Sequence, residues 1–181
     1  MAKALDGKLV KLDKKGKVVE THLSKPDDID YYVLYFSAHW CPPCRKFTPQ
    51  FVRQYDMHKK YEVPYRNRFE VIFVSNDRSE DKMDAYMKWA HMKWPALSWD
   101  SREDSPEITQ YSCPGIPCVV VVDRNGRVLA DSYEDGEYLG PEAPMKWLWR
   151  RLEDEGPPRP KPVTRGTLRE RAQHEIPTAR S

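Results

Sequence analysis

The order of apolar segments in this chain predicts an α/β fold: a central mixed β-sheet flanked by helices on both faces. Three observations carry that prediction. Tyr31–Ser37, Phe69–Ser75 and Cys118–Asp123 are short runs of aromatic and β-branched residues, the composition of strands buried within a sheet. Between and after them lie segments whose apolar residues recur every three or four positions, the spacing of a helix face. The pair Cys41 and Cys44 sits where the first of these strands gives way to the first of these helices.

The elements follow in order. Leu9-Val10-Lys11-Leu12 and Lys17-Val18-Val19 flank Asp13-Lys14-Lys15-Gly16, an N-terminal β-hairpin with glycine at its turn. After the strand at 31–37, Phe47, Phe51, Tyr55 and His58 form one helical stripe over 43–60. Pro49 lies inside it and is expected to kink it, because proline lacks a backbone donor and crowds the preceding turn. The strand at 69–75 comes next. Ser79 then caps a helix with Met83, Tyr86, Met87 and Ala90 on one face. Trp94-Pro95-Ala96-Leu97-Ser98-Trp99 is an aromatic loop expected to pack down. The valine-rich strand at 118–123 turns at Arg124-Asn125-Gly126 into a partner over 127–133. Met145, Leu148, Trp149 and Leu152 mark the last helix, ended by Gly156-Pro157-Pro158. A folded domain over 1–156 and a basic, Pro/Arg-rich, disordered tail over 157–181 are expected.

Composition narrows the function classes. The chain has 181 residues, with 6 Trp and 10 Tyr to build a core. A net charge of +2 argues against a dedicated nucleic-acid binder. No run is long and apolar enough to cross a membrane, and residues 1–10 hold no signal-peptide core, so a cytoplasmic monomer is expected. A leader already removed would make the protein periplasmic or secreted instead.

The chemistry centres on Trp40-Cys41-Pro42-Pro43-Cys44. A helix start offers unpaired N–H groups and the positive end of a dipole, and both favour a thiolate. Cys41 is thereby the attacking nucleophile and Cys44 the group that resolves what it captures. Neither Pro42 nor Pro43 carries an N–H, so fewer donors reach the thiolate, and a reducing pair is expected. Arg45 adds a positive charge that is free to point into solvent. A structural disulfide is one alternative. A zinc half-site is another, but it needs Cys113 and Cys118 as its second pair, and two prolines interrupt that pair. Gly115-Ile116-Pro117-Cys118 directly precedes a strand, a place where proline marks an irregular entry and a cis Ile116–Pro117 bond fits.

Together, Trp40-Cys41-Pro42-Pro43-Cys44 and Gly115-Ile116-Pro117 resemble the thioredoxin superfamily. Tyr35-Phe36-Ser37-Ala38-His39-Trp40-Cys41-Pro42-Pro43-Cys44-Arg45 with Phe47-Thr48-Pro49 resembles its tryparedoxin and nucleoredoxin group, as do Val71-Ile72-Phe73-Val74-Ser75, Asp77-Arg78-Ser79 and Trp94. The likeness covers about residues 5–152. It implies a thioredoxin-like fold and a thiol-disulfide oxidoreductase that reduces protein disulfides. Substrate would bind at Trp40, Ile116 and Pro117, the Ile116 backbone pairing with it. No cofactor is implied beyond the Cys41–Cys44 disulfide itself. Implied partners are disulfide-containing proteins and an upstream reductase or low-molecular-weight dithiol. A redox-gated adaptor of nucleoredoxin type and an extracytoplasmic reductase of the cytochrome c maturation type are the alternatives.

Two departures stand out. Thioredoxins bury an aspartate where this chain has Tyr35, which leaves Asp77 and His39 as candidate bases for Cys44, each favoured instead as a solvated residue or cap. Cys118 stands where the family usually has threonine. With Cys113 it could form an auxiliary redox pair, although a small buried strand residue and a separate loop thiol is the favoured reading.

Overall fold

The structure, a computed structural model, describes residues 1–160, so the tail expected from Pro157 lies almost wholly outside the described residues. A single turn, α1 (Ala2–Leu5), precedes the expected hairpin of β1 (Leu9–Leu12) and β2 (Val18–Thr21). Gly16 closes that hairpin at φ +76°, a conformation that favours glycine. The Asp13 carboxylate supports the turn by accepting from the Lys15 and Lys17 amides. A 3-10 turn over Pro26–Asp28 leads into β3 (Tyr31–Ser37).

Next come α2 (Pro42–His58), β4 (Phe69–Ser75), α3 (Glu80–Ala90) and the two-residue strand β5 (Ala96–Leu97). The one-turn helix α4 (Pro106–Thr109) precedes β6 (Cys118–Asp123) and β7 (Val128–Asp131). A small ribbon of β8 (Tyr133–Glu134) and β9 (Glu137–Tyr138) leads to α5 (Glu142–Glu155). Among the described residues a seven-stranded sheet is ordered β2-β1-β5-β4-β3-β6-β7. β3, β4 and β5 run parallel at its centre, and β6 runs antiparallel to β3.

Alternate residues of the central strands point to two separate layers. Tyr31, Val33 and Tyr35 of β3 pack with Val71, Phe73, Val119 and Val121 under the apolar stripes of α2, α3 and α5. Tyr32, Leu34 and Phe36 face the other layer with Ile72, Val74, Cys118, Val120 and Val122. There the cover is short: Leu5 of α1 and Ile108 of α4. Helices flank both faces as expected, but the three long ones share a single face.

Several expectations are corrected in detail. The helix predicted over 43–60 begins at Pro42 and ends at His58, with Pro49 inside it. The aromatic loop does pack down, with Trp94 fully buried, and it also contributes β5 beside Phe73. The strand predicted over 127–133 stops at Asp131. There the Ser132 amide still donates to the Val119 carbonyl at 3.0 Å. Ser132 Oγ, however, accepts from the Val119 amide at 2.8 Å and Asp131 accepts from the Tyr133 amide at 2.6 Å, so side chains take over half of the pairing as the chain turns away. Trp149 is only half-buried, stacked on His58 with ring centroids 3.8 Å apart.

Candidate redox site

Because β6 runs antiparallel to β3, with Cys118 opposite Phe36, the carboxyl end of β3 and the entry to β6 meet at one edge of the sheet. The two motifs singled out in the sequence leave from that edge. Cys41 is the N-cap of α2, and its sulfur accepts from the Cys44 amide at 3.3 Å. Pro42 and Pro43 open the helix, where a missing N–H costs no intrahelical bond. That leaves the Cys44 amide as the donor aimed at the sulfur. Cys41 and Cys44 are joined as a disulfide, their Cα atoms 5.2 Å apart. Cys41 is 4% exposed and Cys44 is fully buried, an asymmetry in which only the first sulfur has access to a partner.

Across the edge lies the Ile116–Pro117 bond, which is cis. The Ile116 carbonyl oxygen sits 3.7 Å from Cys41 Sγ. Tyr138 of β9 donates its hydroxyl to the Pro117 carbonyl at 2.6 Å, a prop that the sequence did not reveal. Trp40 is 49% exposed beside the pair. Its indole N–H donates to the Asn76 carbonyl at 3.0 Å, and the Arg78 guanidinium lies 5.6 Å from its ring centroid.

Arg45 does not point freely into solvent. Its guanidinium donates to the His39 carbonyl at 2.5 Å and braces the loop that carries Trp40. Asp77 braces it from the other side. One carboxylate oxygen accepts from the His39 amide at 2.8 Å and the other from Ser75 Oγ at 2.7 Å. Asp77 thus caps the His39 amide and, unlike a solvated residue, is only 6% exposed. The His39 ring is half-buried and stacks on Tyr86 and against Trp89. Neither residue is hydrogen-bonded to a sulfur.

Tyr35 belongs to a buried hydroxyl network beneath the redox helix. Thr48 Oγ1 donates to the Cys44 carbonyl at 2.9 Å, since a carbonyl can only accept. Having used its proton there, Thr48 accepts from Tyr35 at 2.5 Å and from Tyr86 at 2.6 Å. Tyr86 in turn accepts from Ser37 at 2.7 Å. Burial pushes both phenols above their ordinary range, so they stay protonated and supply donors rather than a base. Ser37, Thr48 and Tyr86 were missed in the sequence. They are far apart along the chain, and each reads there as an ordinary strand or helix residue.

Cys113 and Cys118 depart from the favoured reading. Cys118 is indeed buried at the start of β6, but Cys113 is not a separate loop thiol. The two are bonded, with Cα atoms 6.3 Å apart. Among the described residues no group of three or more His, Cys, Asp or Glu is placed to hold a metal. No helix among them is long and apolar enough to cross a membrane.

A thioredoxin-like family model matches residues 28–128, more than half of the chain. The chain belongs to that family. Bovine (Bos taurus) nucleoredoxin is 39% identical over 99 residues, 53% of this chain and 21% of its own length. Tryparedoxin from Trypanosoma brucei superposes with a TM-score of 0.54 at 31% identity, covering 72% of this chain and 84% of that one. A tryparedoxin II complexed with glutathionylspermidine superposes with a TM-score of 0.59 at 26% identity, covering 87% of this chain and 97% of that one. The thioredoxin-like chain thus falls in the tryparedoxin/nucleoredoxin-like group of the superfamily, a group with a redox role, while its match spans about a fifth of the curated nucleoredoxin's length.

Proposed function

We propose that the protein reduces protein disulfides by dithiol–disulfide exchange at Cys41 and Cys44. The Cys41 thiolate attacks one sulfur of a substrate disulfide, and the other substrate sulfur leaves as a thiolate. Cys44 then loses its proton and attacks Cys41 Sγ. The substrate departs as a dithiol, carrying two electrons, and the Cys41–Cys44 disulfide forms. A reductant restores the dithiol.

The observation that carries this reading is the placement of Cys41 Sγ. It lies between the Cys44 amide at 3.3 Å and the Ile116 carbonyl at 3.7 Å. The amide and the helix N-terminus favour the thiolate. The carbonyl belongs to the cis Ile116–Pro117 loop at the entry to β6 and is an acceptor for a substrate backbone amide beside the sulfur. Trp40, half-exposed, supplies an apolar wall. The complex of a tryparedoxin II with glutathionylspermidine supports a low-molecular-weight thiol as the donor class. Cytoplasmic action fits a pair kept reduced by such a pool.

The test is reduction of insulin by dithiothreitol. Wild type is expected to accelerate it and Cys41→Ser to abolish the acceleration. The exposed Trp40 and Trp89, the latter 47% exposed, favour a second reading in which the pair gates partner binding. No acceleration by wild type, with partner capture that depends on the redox state of wild type and loses that dependence in Cys41→Ser, would replace the reductase with that adaptor.

A further inference from the structure

The Cys113–Cys118 bond has a sequence separation of five and closes a ring around Pro114, Gly115, Ile116 and Pro117. So short a ring constrains the unfolded chain less than a long one does, which makes it a poor device for global stability. What it does constrain is the loop that faces the redox pair. Inside the ring is the Ile116 carbonyl, 3.7 Å from Cys41 Sγ. The loop is also held from outside, by the Tyr138 hydroxyl on the Pro117 carbonyl at 2.6 Å. Tyr133 stands close to Gly115 as well: a Cβ there would meet its hydroxyl at 2.9 Å.

The two sulfurs are unequally placed. Cys118 is fully buried among Phe36, Val120 and their neighbours. Cys113 is half-buried and stands between the exposed residues Ser112 and Pro114. Only Cys113 is open to an incoming thiolate. The group that must leave, Cys118, sits in apolar surroundings that disfavour a thiolate, so the exchange is slower than at Cys41–Cys44.

We propose that Cys113 and Cys118 form a second redox-active pair, a thiol–disulfide switch on the substrate-facing loop, opened by low-molecular-weight dithiols. A thiolate of the dithiol attacks Cys113 Sγ, and Cys118 leaves and takes up a proton. The second thiol of the reductant then displaces Cys113. The products are the Cys113 and Cys118 thiols and the oxidised reductant, with two electrons transferred. While the bond is closed, the Ile116 carbonyl is held beside Cys41 for a polypeptide substrate. Once it opens, the loop loses that constraint and protein disulfides are reduced more slowly. Because Cys41–Cys44 opens first, there is a window in which the catalytic pair is reduced and the switch still closed. Capacity for protein substrates then follows how oxidising the thiol pool is. This consequence for turnover rests on the reductase reading; the redox claim itself does not.

The test is differential alkylation with mass spectrometry on the native full-length chain, titrated with dithiothreitol. Cys41 and Cys44 are expected to be alkylated first, and Cys113 and Cys118 at higher excess without denaturant. The same order for Cys113 and Cys118 is expected in Cys41→Ser. A bond that opens only on unfolding would make the pair a staple and overturn the proposal, as would free thiols in the air-oxidised protein. At a dithiothreitol level that the titration shows to leave Cys113–Cys118 closed in wild type, Cys113→Ser is expected to lower kcat/KM for insulin by at least about threefold, a loss of positioning rather than of chemistry, while turnover of a small aromatic disulfide is unchanged. Equal loss on both substrates, or on neither, would overturn the switch. If wild type turns over no insulin, the reductase reading fails and the alkylation result still decides the redox claim.

Discussion

Asp77 is a buried carboxylate whose two oxygens already have partners, the His39 amide and Ser75 Oγ. Its position beside the redox loop invites the role of proton acceptor for Cys44, whereas its bonding makes it a clamp on the loop that carries Trp40. Asp77→Asn separates the two. An amide nitrogen must replace one acceptor oxygen, so the buried Ser75 hydroxyl hydrogen or the His39 amide hydrogen loses its acceptor, and stability is expected to fall by about 1–3 kcal/mol. As a clamp, Asp77 leaves the pH profile of insulin reduction unshifted, even as the rate drops. Chemical denaturation and a pH–rate series check both parts, and a displaced pH profile would make Asp77 the base. At this scale the sequence revealed the chemistry better than its supports. Cys41, Cys44 and Pro117 are local signals. The Thr48 network and the Tyr138 prop join residues far apart in the chain, which no local pattern encodes.

Among the elements, the long strands were legible to the residue because a buried strand is a continuous apolar run. β5 was not: it has two residues and follows Pro95, and only its neighbours β1 and β4 make it a strand. The contact between α2 and α5 was half legible. His58 was recognised as the end of the α2 stripe, but not its stacking on Trp149 or its bond to the Tyr65 hydroxyl at 3.0 Å. Burial holds the His58 imidazole below its ordinary value of 6.5, although Glu153 nearby opposes this. The folded protein therefore binds that proton less readily than the unfolded chain does. Stability from the neutral stack is full above pH 6.5 and is lost as pH falls toward the lowered folded value. His58→Phe keeps a stacking ring and removes the proton. Urea midpoints measured from neutral to mildly acidic pH are expected to fall less steeply for the variant than for wild type. Parallel slopes would move the acid sensitivity elsewhere.

Across the whole molecule, chemistry and anchoring occupy opposite ends of β3. The redox edge lies beyond Ser37. At the Tyr31 end, Arg68 ties the sheet to the last helix. It pairs with Asp30 at 2.8 Å and Glu155 at 2.7 Å, and donates to the Gly156 carbonyl at 3.1 Å. Burial raises the Glu155 carboxyl, but hydrogen bonds from Tyr31, Arg151 and Arg68 outweigh it and hold the group below its ordinary value. A strand of this length separates the two ends by about 20 Å. Removing one partner of a fully enclosed ion pair costs about 3–5 kcal/mol, but both carboxylates here keep some contact with water, so Arg68→Ala is expected to cost about 1–3 kcal/mol. The ladder between β3 and β4 and the core above it carry the redox edge independently of that end. Arg68→Ala is therefore expected to lower Tm while leaving kcat/KM for insulin at the wild-type value below the transition. A loss of turnover in the still-folded variant would show that the orientation of α5 reaches through the sheet to the Cys41 loop, and the two ends would have to be treated as one coupled unit.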